Sequence, residues 1–309
     1  MTIKRMWNVL MKYMSDKNYR FLLNACMGWY DNMPDEEYLK RKFRAIMGYE
    51  LDIDNPLTLN EKLQWIKLND RNPKYTIMAD KYEAREYVAN QTNKVHFVPL
   101  LGVWDDVDEI NFNEMPDKYV LKLNHNSGLG MCICRDKQSL NYNDVKKELS
   151  RGLNQDYYLG CREWPYKNIK RKIICEKYIE SENNSGITDY KFFCFNGEPK
   201  FINVSTGLED HKKAAMCFLD LEWNLLEIKR TDFQEYEEIP SKPKCLKEMI
   251  SVAKELSYNI PFIRVDLYEI DNEIYFSELT FFPAGGFIPF EDNKYDQELG
   301  KLLKLPKKD

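Results

Sequence analysis

The clearest alternation of apolar and polar residues lies near the end of the chain, in two stretches separated by a short polar break. Residues 263–270 and 274–281 both follow the two-residue period of a half-buried strand. The break at 271–273 holds Asp, Asn and Glu, which favour turns. This pattern predicts a β-hairpin with a three-residue loop, in which Ile270 pairs with Ile274.

The pattern also assigns faces to the two predicted strands. The apolar face of the first strand comprises Ile263, Val265 and Leu267. Its polar face comprises Arg264, Asp266 and Tyr268. On the second strand, the face predicted to oppose this polar face comprises Phe276, Glu278 and Thr280. With the three-residue loop, Asp266 would lie directly opposite Glu278.

Two carboxylates that face each other across paired strands repel, which destabilises the pair. A hard divalent cation would remove this repulsion, and Mg²⁺ takes one or two carboxylates together with water and phosphate oxygens. Thr280 adds a hydroxyl oxygen, and Arg264 adds a fixed charge suited to a phosphate or an acyl phosphate. The alternative is that Asp266 and Glu278 are ordinary solvated charges.

Helical spacing of apolar residues dominates the first 118 residues. The predicted helices are Met6–Met14, Glu36–Ile46, the segment that follows a capping box at 58–61, and Tyr75–Asn90. The last helix carries Asp80, Lys81 and Arg85, which do not share one face, and a solvated helix surface is the favoured interpretation for all three. Residues 96–104 predict a short strand and a turn.

The chain changes character at Tyr119, where a strand carrying Lys122 leads into a polar loop. This loop, 124–130, has two glycines together with Asn and Ser, whose backbones can turn tightly and present N–H groups to an anion. A lysine beside such a loop suits nucleotide phosphates. An ordinary hairpin with a polar tip is the alternative. The loop is not a Walker loop, because the GxxxxGK(S/T) pattern is absent.

The remaining chain alternates strand and helix signals. The predictions are a helix at 142–154, a loop at 157–172, a strand at 173–179, a polar hinge at 181–186, a hairpin at 189–206 around Asn196-Gly197, a strand pair at 216–221 and 225–229, and a helix at 243–258.

Composition narrows the class of protein. The net charge of −5 over 309 residues argues against a generic nucleic-acid binder. The eight cysteines form no CxxC pair and no zinc spacing, which favours a reduced, cytoplasmic protein. No stretch approaches the ~18 apolar residues of a transmembrane segment, while peripheral contact with a membrane stays open.

Four segments together resemble a known superfamily. They are KYVLKLNHNSG, REWPYKNIKRKIICEKYI, DYKFFCFNGEPKFI and RVDLYEI…IYFSELTFFPAGGF. Their order resembles the ATP-grasp superfamily and, more narrowly, the TupA-like ATP-grasp family of capsule, teichuronopeptide and O-antigen gene clusters, over roughly residues 40 to 290. The resemblance implies an α+β fold in which two lobes with antiparallel sheets grip ATP. It divides the chain into a helical region at 1–118, a small lobe at 119–182 and a large lobe at 183–309.

The resemblance also implies residues that bind the nucleotide. Lys122 would hold the α- and β-phosphates beneath a mobile flap of Asn126, Ser127 and Gly128. The adenine would meet main-chain groups of a hinge formed by Glu176, Lys177, Tyr178 and Ile179. Asp189 would reach the ribose or nearby waters, and Lys191 would lie near the γ-phosphate.

For the chemical step, the resemblance implies that Arg264 binds the acyl phosphate and the developing oxyanion, with Lys122 and Lys191 as further catalytic cations. Asp266 and Glu278 would bridge Mg²⁺. Thr280 stands where most ATP-grasp enzymes have Asn, and its hydroxyl is a shorter ligand. Gly285 and Gly286 would let the backbone approach the acyl group, and His125 fits a loop residue better than a base.

The implied function is an ATP- and Mg²⁺-dependent carboxylate–amine ligase that joins an amine, such as an amino acid, to a uronic acid of a surface polysaccharide or its precursor. The alternatives are a sugar kinase, a glycosyltransferase or a nucleotide-binding module without catalysis. The residues considered for the acceptor site, by position and charge alone, are Asp80, Lys81, Arg85, Glu163, Trp164 and Tyr166.

Overall fold

The computed structural model describes residues 3–179, 187–207, 214–236 and 238–307. The predicted hinge at 181–186 therefore lies outside the described residues. The helices are α1 (Ile3–Ser15), α2 (Lys17–Cys26), α3 (Asp35–Met47), α4 (Leu59–Asn69), α5 (Lys74–Ala79), α6 (Glu83–Gln91), α7 (Tyr142–Leu153), α8 (Tyr157–Cys161), α9 (Leu246–Leu256) and α10 (Asn293–Leu302). The strands are β1 (His96–Phe97), β2 (Leu100–Trp104), β3 (Tyr119–Leu123), β4 (Cys132–Cys134), β5 (Ile173–Lys177), β6 (Asp189–Phe195), β7 (Glu198–Thr206), β8 (Ala215–Leu219), β9 (Gln234–Glu235), β10 (Phe262–Ile270) and β11 (Glu273–Thr280).

In the described part of the chain, the strands form two sheets. Counted over the same residues, the larger has seven strands in the order β1-β11-β10-β6-β7-β8-β9, and the smaller has four in the order β2-β5-β3-β4. Strands β1 and β2 are nearly consecutive in sequence, yet β1 pairs with β11 in the large sheet and β2 pairs with β5 in the small sheet. The segment at 96–104 therefore joins the two sheets.

Each sheet has its own apolar core. Ile263, Val265 and Leu267 of β10 are fully buried in the core of the large sheet, which helices α3 to α6 and α9 share. Tyr119 and Leu121 of β3 are fully buried in a second core beneath the small sheet, together with side chains of α7. Because α5 and α6 both contact β11, the turn between these helices is held beside the large sheet.

The predicted hairpin exists, but its turn is shorter than expected. Asp271 and Asn272 form a two-residue turn with φ of 53° and 65°, the left-handed values that a type I′ hairpin turn requires. Ile270 consequently pairs with Glu273, and the predicted pairing with Ile274 is wrong.

A β-bulge then compensates for the shorter turn. The register shifts between Asp266 and Leu267, because Ser277 is an extra residue on β11. Asp266 therefore does lie opposite Glu278, as predicted. Phe276 lies opposite Leu267 on the core face, so the prediction that it shares a face with Glu278 is wrong.

Several predicted elements are confirmed. Helices α1, α3, α7 and α9 fall where the apolar spacing placed them, and the capping box at Thr58 and Glu61 starts α4 with both reciprocal hydrogen bonds. Strands β6 and β7 form the predicted hairpin around Asn196 and Gly197, which both have positive φ.

The helical prediction for Tyr75–Asn90 is confirmed only in part, because residues 80–82 divide the segment into two helices, α5 and α6. The carboxylate of Asp80 accepts hydrogen bonds from the main-chain N–H groups of Tyr82 and Glu83, at 2.8 and 3.3 Å, and so caps the second helix. Asp followed three residues later by Glu is a capping pattern, and this signal could have split the helix in advance.

Two further predictions need correction. The strand at 225–229 is absent, because after a bridge between Leu225 and Leu219 the chain turns away and Arg230 bridges to Phe290 instead. The segment at 157–172 is not all loop, since it contains α8 and a 3-10 turn at 164–166.

Candidate active site

The predicted metal hairpin opens into a cleft of about 360 Å³. Arg264, Glu278 and Thr280 line one end of it. The loop after β3 contributes Ser127, and α8 together with the following turn contributes further walls. The cleft thus brings residues of both sheets to one place.

At this end of the cleft, the guanidinium of Arg264 lies among the oxygens of the three predicted metal ligands. Its Nε and Nη2 donate to both carboxylate oxygens of Asp266, at 2.7 and 2.6 Å. The same Nη2 lies 3.1 Å from Glu278 Oε1 and 3.1 Å from Thr280 Oγ1. A single cationic nitrogen therefore marks the point on which all three side chains converge.

Burial and charge act differently on the two acids. Asp266 is only 2% exposed, and burial raises its pKa to about 6 even though Arg264 and Lys191 oppose the shift. Burial acts in the same direction on Glu278, but Lys81 and Arg264 outweigh it and lower the pKa of Glu278 to about 2. The pKa of Arg264 is raised, because Asp266 and Glu278 together outweigh its desolvation.

The donor set fits Mg²⁺. Two carboxylates and one hydroxyl are hard oxygen ligands, and Mg²⁺ normally takes its other ligands from water and phosphates. A protein cage of three or more His, Cys, Asp or Glu side chains is not found among the described residues. Asp266, Glu278 and Thr280 are therefore suited to a metal that arrives with a phosphate ligand.

Lys81 is the residue at this site that the sequence pattern misjudged. Its Nζ lies 3.7 Å from Glu278 Oε2 and donates to the main-chain oxygen of Asn126 at 2.6 Å. Its side chain is 14% exposed, so the interpretation as solvated helix surface is wrong. Burial lowers the pKa of Lys81, with Glu278 opposing the shift and Lys122 adding to it.

The neighbours of Lys81 are also buried or paired. Asp80 is 4% exposed, caps α6 and accepts a hydrogen bond from the side chain of Asn124 at 2.9 Å. Arg85 donates to Val98 O at 2.6 Å and lies 3.4 Å from Glu176. The break after α5 places these side chains between the two sheets, where a continuous helix would have exposed them.

Lys122, the predicted phosphate lysine, lies on β3 of the small sheet. Its Nζ is 2.6 Å from Glu176 Oε2 on the neighbouring strand. The main-chain N–H of Lys177 donates to Pro99 O at 2.9 Å, so an adenine cannot use that donor of the predicted hinge. Tyr178 and Ile179 follow directly after the end of β5.

The predicted flap follows β3. Asn126 is 3% exposed, and its side chain donates to Gln155 Oε1 at 3.2 Å. Ser127 and Gly128 are exposed, and Gly128 has a φ of 84°, a value that favours glycine. His125 is buried with its Nε2 on Gln155 O, and burial lowers its pKa to about 4, in keeping with a loop residue.

Lys191 and Asp189 lie on β6, next to the hairpin. Lys191 pairs across the sheet with Asp266, and its Nζ contacts Asp189 Oδ2 at 2.8 Å and Ser205 Oγ at 2.9 Å. Its residual exposure is 9%. A buried cation therefore stands beside the acidic pair on the opposite side from β11.

Gly285 lines the cleft and the buried Gly286 follows it, both with left-handed backbone at φ of 63° and 73°. A Cβ on Gly285 would lie 2.9 Å from Cys161 Cβ, and one on Gly286 would lie 2.8 Å from Gln64 Nε2. The fully buried Lys67 donates to Cys161 O at 2.9 Å and to Gly285 O, and so ties α4 to both segments.

Glu163 and Tyr166 line the same cleft, whereas Trp164 is buried. These residues were candidates by position and charge alone, and the structure brings Glu163 and Tyr166 together with Arg264 and Glu278. In the parts of the chain that the structure describes, every helix is too short or too polar to span a lipid bilayer.

Comparison with known proteins identifies related chains. A family model described as TupA-like ATPgrasp matches residues 61–304. No curated protein matches the chain. Among solved structures, Bacillus anthracis D-alanine–D-alanine ligase with ATP matches at 16% identity and a TM-score of 0.39, over 66% of this chain and 54% of that one.

Two further solved structures are similar at the same level. Helicobacter pylori D-alanine–D-alanine ligase is 18% identical with a TM-score of 0.37, over 74% of this chain and 62% of that one. D-Cycloserine synthetase DcsG is 14% identical with a TM-score of 0.38, over 74% of this chain and 71% of that one. The chain thus spans between half and two thirds of the two D-alanine–D-alanine ligases.

Proposed function

Because the family model covers most of its length, the chain belongs to the TupA-like ATP-grasp family, and we propose that it is an ATP- and Mg²⁺-dependent carboxylate–amine ligase. This membership confirms the family resemblance and the α+β ATP-grasp fold expected from the motifs. Helices α1 to α3 precede the matched region.

The main support for this proposal is one geometric observation: Arg264 Nη2 contacts the side chains of Asp266, Glu278 and Thr280. Asp266 is buried and Glu278 is partly buried, and two acids so placed suit a site where a metal cation accompanies an anionic substrate. Lys81 and Lys191 supply further positive charge around the same point. An array of hard oxygens and cations suits phosphoryl transfer, in which catalysis is mostly positioning and charge stabilisation.

We assign each residue a role. Asp266, Glu278 and Thr280 would hold Mg²⁺, which offsets the charge of the phosphates when it is bound. Lys122 would bind the α- and β-phosphates under Asn126, Ser127 and Gly128. Lys191 and Lys81 would contact the γ-phosphate. The adenine would lie against Tyr178 and Ile179 at the end of the strand that carries Glu176 and Lys177, with Asp189 near the ribose.

The reaction has two steps. A carboxylate oxygen of the first substrate attacks the γ-phosphorus, the bond to the bridging oxygen breaks, and ADP leaves with the electron pair. The nitrogen of a neutral amine then attacks the carbonyl carbon of the acyl phosphate, an amide C–N bond forms, and phosphate leaves. Arg264 would stabilise both the acyl phosphate and the oxyanion that develops on its carbonyl.

We propose a uronic acid of a surface polysaccharide or its precursor as the carboxylate, and an amino acid or another amine as its partner. The support is the resemblance to a family encoded in capsule, teichuronopeptide and O-antigen gene clusters. The division into lobes at 118 and 182 is part of the same proposal.

The test is to incubate the full chain with ATP, Mg²⁺, D-glucuronate or a uronic-acid glycan, and single amino acids. We expect ADP release that requires both co-substrates and disappears in Asp266→Asn. A phosphorylated sugar without amide would indicate a kinase, and transfer from a nucleotide sugar would indicate a glycosyltransferase. Nucleotide binding indifferent to Mg²⁺ and to Asp266→Asn would indicate a binding module.

Helix α1 supports a further element of the proposal, contact with an anionic lipid surface. Its exposed apolar residues include Trp7, Met11 and Met14, at 62, 49 and 66% exposure. The helix sequence IKRMWNVLMKYMS contains three basic residues and no acidic one. An apolar face that carries Trp beside basic residues is the combination that lies on an anionic bilayer surface.

A further inference from the structure

Glu163 is a buried acid in the cleft that has no role in the reaction proposed above. It is 4% exposed and lines the cleft that also holds Arg264, Glu278 and Thr280. Within the described residues, no hydrogen-bond donor or ion-pair partner is found for its carboxylate. Lys67, the cation whose charge acts most strongly on Glu163, gives its hydrogen bonds to Gln64 Oε1, Cys161 O and Gly285 O instead.

A buried carboxylate is normally paired, because leaving it without a partner costs several kcal/mol or forces it to take up a proton. Because Glu163 lines the cleft, a donor that enters the cleft can pair with its carboxylate. A ligand with N–H donors and a positive charge would pair with the carboxylate of Glu163.

Two tyrosines strengthen the case for an organic cation. Tyr157 and Tyr166 line the same cleft as Glu163, with ring centroids 4.9 Å apart and planes at 71°. Both hydroxyls have a raised pKa, chiefly through burial and then through the charge of Glu163, so both stay neutral. Aromatic faces beside a carboxylate attract an ammonium group.

We propose that Glu163, with Tyr157 and Tyr166, forms the subsite for the ammonium group of the amine co-substrate. The inference rests on the proposed ligase function and extends it by placing the amine. Glu163 Oε1 is 3.6 Å from the position of a Cβ on Gly285, so it lies against the segment beside which the acyl group would bind. The amine nitrogen is thereby brought to the cleft that Arg264 enters.

This placement also explains how the ammonium group loses the proton that must leave before its nitrogen can attack. The ammonium gives one proton to a Glu163 oxygen, and the neutral amine attacks the carbonyl carbon. The C–N bond forms as the C–O bond to phosphate breaks, and the second amine proton leaves on the phosphate. Glu163 then returns its proton to water.

The charges around Glu163 are consistent with this exchange. Burial raises its pKa to about 7, and the three lysines that face it oppose the shift. The titratable groups on the elements packed against it are Lys67 of α4, Lys42 of α3, Lys81 of the α5–α6 turn, Tyr157 of α8 and Tyr166. A carboxylate of this pKa can accept a proton near neutrality.

The experiment compares Glu163→Gln with the wild-type chain and with Glu148→Gln, an exposed residue of α7. Each protein receives ATP, Mg²⁺ and D-glucuronate, with glycine, L-alanine, L-glutamate or ethanolamine as the amine. A parallel reaction contains hydroxylamine, a neutral nucleophile at pH 7 that traps acyl phosphate as a hydroxamate without needing a base.

We expect Glu163→Gln to keep wild-type hydroxamate formation and to lose about 10²- to 10⁴-fold in kcat/KM for the amine, the usual contribution of a general base. Wild-type kinetics with the amines would overturn the inference. Equal loss in both reactions would also overturn it, because Glu163 would then serve the fold or the first step.

If the wild-type chain forms no hydroxamate, the proposed function fails with these substrates, and a binding measurement decides the inference separately. Isothermal titration of the same amines should then give binding to the wild-type chain and to Glu148→Gln that Glu163→Gln lacks. Equal affinity for all three proteins would overturn it.

Discussion

Replacing Lys81 with Met tests the part of the site that links the two sheets. The substitution keeps the aliphatic stem and removes the ammonium that lies 3.7 Å from Glu278 Oε2 and 2.6 Å from Asn126 O. At an effective dielectric constant of about 20, the ion pair alone represents roughly 4 kcal/mol of attraction. The substitution should cost less stability than this attraction, because Glu278 is 31% exposed to solvent and because Arg264 remains beside its carboxylate.

We therefore expect the free energy of unfolding to fall by about 2 kcal/mol, within the ~1.5–3 kcal/mol typical of a hydrogen bond to a charged group. The affinity for Mg²⁺-ATP should fall by about 10- to 100-fold, since each ~1.4 kcal/mol is a factor of ten. Urea unfolding followed by circular dichroism gives the first quantity, and isothermal titration gives the second.

The matched control is Lys74→Met, an exposed lysine on the neighbouring helix α5. It should change neither quantity. The reasoning is refuted if Lys81→Met unfolds within about 0.5 kcal/mol of the wild-type chain, the range of ordinary surface substitutions, and binds the nucleotide equally well.

Three further outcomes are expected. Burial raises the pKa of Asp296 from 3.8 to about 6, so the stability that this group contributes at low pH is lost as the pH rises from about 3.8 through about 6. The unfolding free energy of the wild-type chain, measured by urea titration relative to Asp296→Asn, should therefore fall by about 2–3 kcal/mol between pH 4 and pH 6. In Gly300→Ala the new Cβ would overlap Leu57 O and lie 2.8 Å from the carbonyl carbon of Thr58, so thermal unfolding should show a loss of about 1–3 kcal/mol or more. Trp7→Ser should lower the affinity for phosphatidylglycerol vesicles, measured by co-sedimentation, by about tenfold. The reason is that the substitution removes one large apolar side chain from the lipid-facing helix.

Each of these outcomes has a contradicting result. A pH-independent difference between wild type and Asp296→Asn would show that the group is ionised normally in the fold. Stability of Gly300→Ala equal to that of Lys301→Ala, an exposed neighbour, would mean that α10 and the start of α4 are not in close contact. Equal vesicle binding by Trp7→Ser and by Leu225→Ser, which alters an exposed apolar residue elsewhere, would remove α1 as the lipid-facing helix.

The hairpin of β10 and β11 illustrates how far local pattern reasoning reaches. Alternation of apolar and polar residues predicted the strands and the opposition of Asp266 and Glu278, and both are present. The loop length and the face of Phe276 were wrong. A turn of two residues and a bulge at Ser277 shift the register in compensating directions, and alternation alone does not reveal a compensated pair of shifts.

The amino-acid sequence by itself determined two kinds of feature: local structure and the motifs that identify the family. Capping at Thr58, the Asn196-Gly197 turn and the alternating strands depend on near neighbours in the chain, and the motifs around Lys122 and Asp266 identified the family.

Only the tertiary structure decided which residues surround a charged side chain that has no charged motif around it in the sequence. Lys81 looked like surface helix until the break after α5 and the packing of that helix on β11 placed it against Glu278. Glu163 is buried, without a side-chain partner among the described residues, because α3, α4 and the Gly285 segment close around it. Burial and long-range charge depend on residues distant in sequence, so periodicity along the chain does not report them.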